Sequence, residues 1–129
     1  KTLKSHISYH NWRDNFMTIK EFIQNYNLHD SLLEEIDYNK KTATVKLYVD
    51  FCYWQQDGYT DEMPETGNIV IKFSECTNLH YSTYRINSDE ISKVVSNNEN
   101  EIVLTVFNDL SGKYIEIEIK ASSVSVQTC

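Results

Sequence analysis

Leu28-His29-Asp30-Ser31-Leu32-Leu33-Glu34-Glu35-Ile36-Asp37-Tyr38 is the stretch on which the reading of this chain turns. Upstream of it the apolar residues recur at helical spacing. Downstream they recur every second residue. Thr18-Ile19-Lys20-Glu21 has the form of a capping box, with a hydroxyl at the N-cap and a Glu at N3. Met17 and Phe22 sit where a hydrophobic staple would close the first turn. Ile19, Phe22, Ile23 and Tyr26 then follow the i, i+3, i+4, i+7 rule, which predicts one short helix with one apolar face. Two to three turns are marginal alone, so the helix must lie against other structure.

After Ser31 the period is two. Leu32, Ile36 and Tyr38 fall on one side of a strand, with Glu34 as the polar exception, and Glu35 and Asp37 on the other. A turn at Asn39-Lys40-Lys41 leads to Ala43, Val45, Leu47, Val49 and Phe51, which alternate with Thr44, Lys46, Tyr48 and Asp50. A two-residue loop at Asn39-Lys40 or Lys40-Lys41 brings both apolar faces together, and only a slip by one would separate them. Asn68 to Phe73 predicts a third strand. Residues 76–84 are ambiguous, with a short alternation at Leu79, Tyr81 and Thr83. Residues 86–98 fit an edge strand better than a helical turn opened at Ser88. Glu101 to Phe107 is nearly continuously apolar and predicts a strand buried on both faces. Tyr114 to Ala121 alternates with Ile115, Ile117 and Ile119 inward, and the phase slips at Ser122-Ser123, as at a bulge or sheet corner.

The expected fold is α+β: one short N-terminal helix packed on a mostly antiparallel, curved sheet of six or seven strands, half-barrel or sandwich-like. The meander has no internal repeat and no linker, so residues 1–129 make a single domain. Nine Tyr, five Phe and two Trp against three Gly and one Pro suit such a sheet.

Charge narrows the function. The formal net charge is −7. Residues 1–20 hold Lys1, Lys4, Arg13 and Lys20 against Asp14, a net of +3, so the remainder carries −10. Such a field repels phosphate backbones and disfavours nucleic acid, despite a small basic-aromatic patch at Lys1, Lys4, Trp12 and Arg13. It steers towards a basic partner. Cys52, Cys76 and Cys129 are odd in number and widely spaced, which reads as reduced thiols in a cytoplasm. The longest apolar runs are three or four residues, far too short for a membrane span. Lys1 in place of an initiating Met fits trimming or processing.

Four features invite a chemical reading. His29, Asp30 and Ser31 are the three residue types of a hydrolytic triad, but adjacent side chains diverge, and no Gly-x-Ser-x-Gly elbow is present. A structural role explains them better: Asp30 and Ser31 bond nearby backbone N–H groups where helix gives way to strand. Glu34, placed by alternation on an apolar face, is the carboxylate most open to an acid–base role. His6 and His10, and Cys76 and His80, are four apart but lack further ligands, so no metal or other cofactor is expected. The residues 53–67 combine Asp57, Asp61, Glu62 and Glu65 with Tyr53, Trp54, Tyr59 and Met63, and contain no Lys or Arg. Aromatic anchors within an acidic rim are the composition of a protein-binding loop.

The run Leu28-His29-Asp30-Ser31, the strand with Glu34-Glu35-Ile36 and the hairpin after it resemble small uncharacterised bacterial proteins. Those carry a Phe/Leu-His-Asp-Ser/Ala segment between a short helix and a β-meander. Some look like immunity proteins of polymorphic toxin systems. The resemblance covers residues 18–52. It implies a cytoplasmic inhibitor that binds a toxin domain through an acidic, aromatic surface.

Two functions follow. One is a non-catalytic acidic protein-binding module that blocks a basic partner protein through Tyr53, Trp54, Asp57, Tyr59, Asp61, Glu62 and Glu65, without nucleic acid or membrane. The alternative is a small-ligand-binding or hydrolase-like protein with a pocket at His29, Asp30, Ser31, Glu34 and Tyr38. The charge and the missing catalytic motifs favour the first.

Overall fold

A computed structural model describes residues 16–128. The His6–His10 pair, the basic-aromatic patch and Cys129 lie outside the described residues. Helix α1 spans Ile19–Asn25, and strands β1 to β8 span Leu32–Asn39, Thr44–Cys52, Thr66–Ser74, Asn78–His80, Asp89–Asn98, Glu101–Asn108, Lys113–Lys120 and Ser123–Thr128. Every described pairing is antiparallel. The class is α+β as expected, with eight strands in one sheet where six or seven were expected.

The additional strand explains the phase slip. Ala121 and Ser122 separate β7 from β8 and carry the chain to a different part of the sheet. The order is β4-β7-β6-β5-β1-β2-β3-β8, so this is two three-strand meanders and not one continuous meander. The links from β3 to β4 and from β7 to β8 each cross six strand positions, about 29 Å along a flat sheet. Three intervening residues, 75–77, and two, 121–122, span no more than about 14 Å and 11 Å. The sheet therefore coils on itself, bringing its two ends together. At the two links, Ser122 N–H donates to Ser74 C=O at 3.1 Å, continuing the β3–β8 pairing, and Thr77 N–H donates to Lys120 C=O at 2.8 Å, continuing the β4–β7 pairing.

The coil encloses one core. Leu47, Val49, Phe51, Ile69, Ile71 and Phe73 meet Ile102, Leu104, Val106, Ile117 and Ile119 there, all fully or almost fully buried. Helix α1 adds Ile19 and Phe22, and the Phe22 ring meets Phe73 edge-on at 6.4 Å. The capping box is formed, with Glu21 N–H donating to Thr18 Oγ1 and Thr18 N–H to Glu21 Oε1. Met17 bridges to Val124 on β8, whereas Phe16 stays exposed.

Three strand expectations are corrected. In β6 the even-numbered Ile102, Leu104, Val106 and Asn108 are buried, and Val103, Thr105 and Phe107 are half-buried on the other side. Asn39 pairs with Thr44, so the β1–β2 loop has four residues, 40–43, with Ala43 at φ +54°. Ile36 still faces an odd-numbered apolar residue, Leu47, so the facing of the hairpin is as read. The third correction concerns β1. Leu33, not Leu32, is fully buried, and the register shifts between Leu33 and Glu35. Glu34 is the surplus residue of a β-bulge. The bulge changes parity, so Leu33 and Ile36 both serve the inner face.

Candidate functional site

The chain leaves α1 through a joint that the 53–65 loop locks from the outside. Asp30 adopts a left-handed conformation, φ +69°, which Asp tolerates better than most residues. Its N–H donates to Ile91 C=O at 2.9 Å, and Ile91 N–H donates to Ser31 C=O at 2.8 Å. Those bonds lead into a β1–β5 ladder of only two pairs, Leu32 with Glu90 and Leu33 with Asp89.

His29-Asp30-Ser31 is split by this geometry. Ser31 is fully buried, and its Oγ accepts from Cys52 N–H at 3.0 Å. A buried hydroxyl engaged with backbone satisfies a donor that would otherwise be orphaned. His29 and Asp30 turn outward, with His29 Nδ1 at 3.2 Å from Asp30 Oδ1 and the imidazole more than half exposed. The structure thus assembles no Ser–His pair. The outward imidazole also keeps the ligand-pocket alternative in play, since it is not sealed by backbone.

Cys52 lies under the joint. Its Sγ donates to Asp30 C=O at 3.4 Å. Burial pushes its thiol above the usual range, the Ser31 hydroxyl opposes this, Asp30 and Asp50 raise it further, and the Trp54 indole N–H also opposes it. A thiol held protonated is a poor nucleophile. Cys76 is likewise buried and free, its Sγ donating to Asn78 C=O at 3.3 Å. His80 is exposed on β4, so the Cys76–His80 spacing does not converge. Among the described residues no group of three or more His, Cys, Asp or Glu could hold a metal ion.

Two glutamines fasten the loop. Gln56, almost fully buried, accepts from Asn27 N–H at 2.9 Å and donates to Asn27 C=O at 2.7 Å and Cys52 C=O at 2.8 Å. Gln55 donates to His29 C=O at 2.6 Å and to Asp30 Oδ2 at 3.1 Å. Trp54 N–H donates to Glu65 C=O at 3.1 Å, closing the mouth of the loop. Tyr53 is in the core, its ring over Gly67: a Cβ there would lie 2.8 Å from Tyr53 Cε2. Met63 is buried and Tyr59 half-buried. Asp57, Asp61, Glu62 and Glu65 are all exposed, and Trp54 is 50% exposed. Desolvation, and then the charges of Glu65 and Asp61, raise the Tyr59 phenol above its ordinary range.

A second acidic group adjoins the joint. Glu90 is raised above the usual carboxylate range, chiefly by a hydrogen bond with Asp30, then by desolvation and the charges of Asp30 and Asp109, with His29 opposing. Two carboxyl groups near enough to share a proton are in electrostatic conflict when both are ionised. Sequence reading missed Glu90, Gln55 and Gln56. The two glutamines could have been found as neutral hydrogen-bonding side chains next to the aromatic pair Tyr53-Trp54. Glu90 comes from 60 residues away and carries no local signal. Glu34 and Tyr38 stand apart. Glu34 is exposed and accepts from Ser88 Oγ at 2.6 Å, so the bulge removes it from the apolar face that suggested an acid–base role. Tyr38 is exposed near the far end of β1.

Comparison with family models, curated proteins and solved structures finds no match to this chain. Among the described residues no helix is long and apolar enough to cross a membrane.

Proposed function

We propose that this chain is a non-catalytic, acidic protein-binding module, an immunity-type stoichiometric inhibitor of a basic partner protein, acting in a reducing cytoplasm. The observation that carries the reading is the construction of the 53–65 loop. Its inner residues Tyr53, Gln56 and Met63 are fixed in the body, while Trp54 and four carboxylates are left outside. A surface already ordered before contact loses less entropy on binding. An exposed Trp beside carboxylates offers an anchor and a complementary charge to a cationic partner. Free Cys52 and Cys76 suit a reducing compartment.

Asp30 and Glu90 strengthen the reading. A partner's Arg or Lys placed between them would relieve their mutual repulsion, so cation binding is favoured where the isolated protein is frustrated. The test is the fourfold charge reversal Asp57→Lys, Asp61→Lys, Glu62→Lys, Glu65→Lys. Partner affinity should fall at least about tenfold, while stability stays within about 0.5 kcal/mol, as for exposed positions. Unchanged affinity would reject the loop as the interface.

A further inference from the structure

We propose that the outer face of β1, β2 and β3 carries a binding site for a small phosphate monoester with hydroxyl groups, at Lys46 and Lys72. This is independent of the acidic loop and opposite to it in sign. Lys46 and Lys72 are direct cross-strand partners, and Asp37 faces Lys46 from the other side. Like charges in such positions destabilise a sheet unless something lies between them. Among the described residues no Lys or Arg has a carboxylate within 4.0 Å, so neither ammonium is neutralised by Asp37.

Both lysines line a concavity of about 270 Å³ together with Asp37, Asn39, Thr42 and Thr44. Lys40 and Lys41 occupy the adjoining hairpin loop. Four of the nine Lys and Arg among the described residues thus gather at one end of an acidic protein. The donors and acceptors divide the cavity. Asn39 Oδ1 is occupied by Lys41 N–H and Thr42 N–H, which leaves its Nδ2 group as a donor beside the ammoniums. The Thr44 hydroxyl donates to Thr42 C=O, leaving its oxygen to accept. Two ammoniums and an amide N–H suit a phosphate. Asp37 is acceptor-only when ionised, and with the Thr44 oxygen it suits ligand hydroxyls. The cavity is larger than a lone phosphate needs.

The test is NMR observation of the lysine side chains during titration at constant ionic strength with inorganic phosphate, ribose 5-phosphate and ribose. Ribose 5-phosphate should shift Lys46 and Lys72 saturably in the millimolar range, at lower concentration than inorganic phosphate, and ribose alone should not. Lys72→Met should weaken ribose 5-phosphate about tenfold with an unchanged melting temperature, since the side chain is exposed. Asp37→Asn should tighten inorganic phosphate and narrow the advantage of the sugar phosphate. No saturable shift at Lys46 and Lys72, or equal shifts at Lys93, Lys113 and Lys120, would overturn the proposal.

Discussion

The inner and outer sides of the joint after α1 use the same kinds of side chain to opposite ends. On the inner side, Ser31 and Gln56 are buried, and each hydrogen-bonds backbone groups of Asn27 or Cys52. On the outer side, His29, Asp30 and Glu90 are partly or fully exposed, and the Glu90 carboxyl is raised above the usual range, chiefly through Asp30. Burial demands satisfaction, so the inner residues are structural. Exposure tolerates conflict, so the outer residues need no such satisfaction. A string that reads as one chemical motif is thereby divided between a buried, bonded side and an exposed one.

The contrast is open to attack by substitution. The largest effect is expected at Gln56. Gln56→Ala removes three hydrogen bonds, leaving the buried Cys52 C=O and the part-buried backbone groups of Asn27 without these partners, a loss of about 2–4 kcal/mol in denaturant unfolding. A loss near zero would mean that Gln56 does not fasten the loop. Gly67→Ala presses a methyl group into the buried Tyr53 ring and should cost about 1–3 kcal/mol. Ser31→Ala orphans the Cys52 N–H and should cost about 1–3 kcal/mol, with a larger cost than His29→Ala in the same assay. If His29→Ala proves the costlier, the division into inner and outer sides is wrong.

The smallest effect is at Glu90, and its signature is pH. Its pKa is raised on folding, so the folded state binds the proton more tightly than the unfolded state. Its contribution to stability is therefore fully present below the unfolded value and is lost as pH rises through the folded value. Glu90→Gln should leave stability nearly unchanged at acidic pH and flatten its decline just above the ordinary carboxylate range. An unaltered pH profile would show that Glu90 and Asp30 do not share a proton.

Local signals were legible in the sequence and long-range ones were not. Thr18, Glu21 and the apolar spacing of Ile19, Phe22 and Tyr26 announce α1, because capping and amphipathicity are short-range. The alternation of β2 and β7 announces their inward faces for the same reason. The bulge at Glu34 does not show, because parity in β1 is set by Leu33 and Ile36 both meeting the core across the sheet. The coiled strand order does not show either, because the seam depends on residues 75–77 and 121–122 closing the sheet's ends. At the joint, Ser31 takes the backbone-bonding role expected of it, through Cys52 N–H, whereas the Asp30 carboxylate meets the side chains of His29 and Gln55 and not backbone N–H groups. The Asp30–Glu90 pair depends on a ladder between strands 60 residues apart, which no local pattern encodes.

The binding reading is tested most directly by quantitative capture from source lysate on immobilised protein. The unaltered chain is compared with the fourfold reversal at Asp57, Asp61, Glu62 and Glu65, both confirmed folded. A basic protein retained by the unaltered chain and reduced at least about tenfold on the reversed one is the predicted result, with charge complementarity as the cause. Equal retention of that protein by both, or retention of no basic protein by either, would contradict the account.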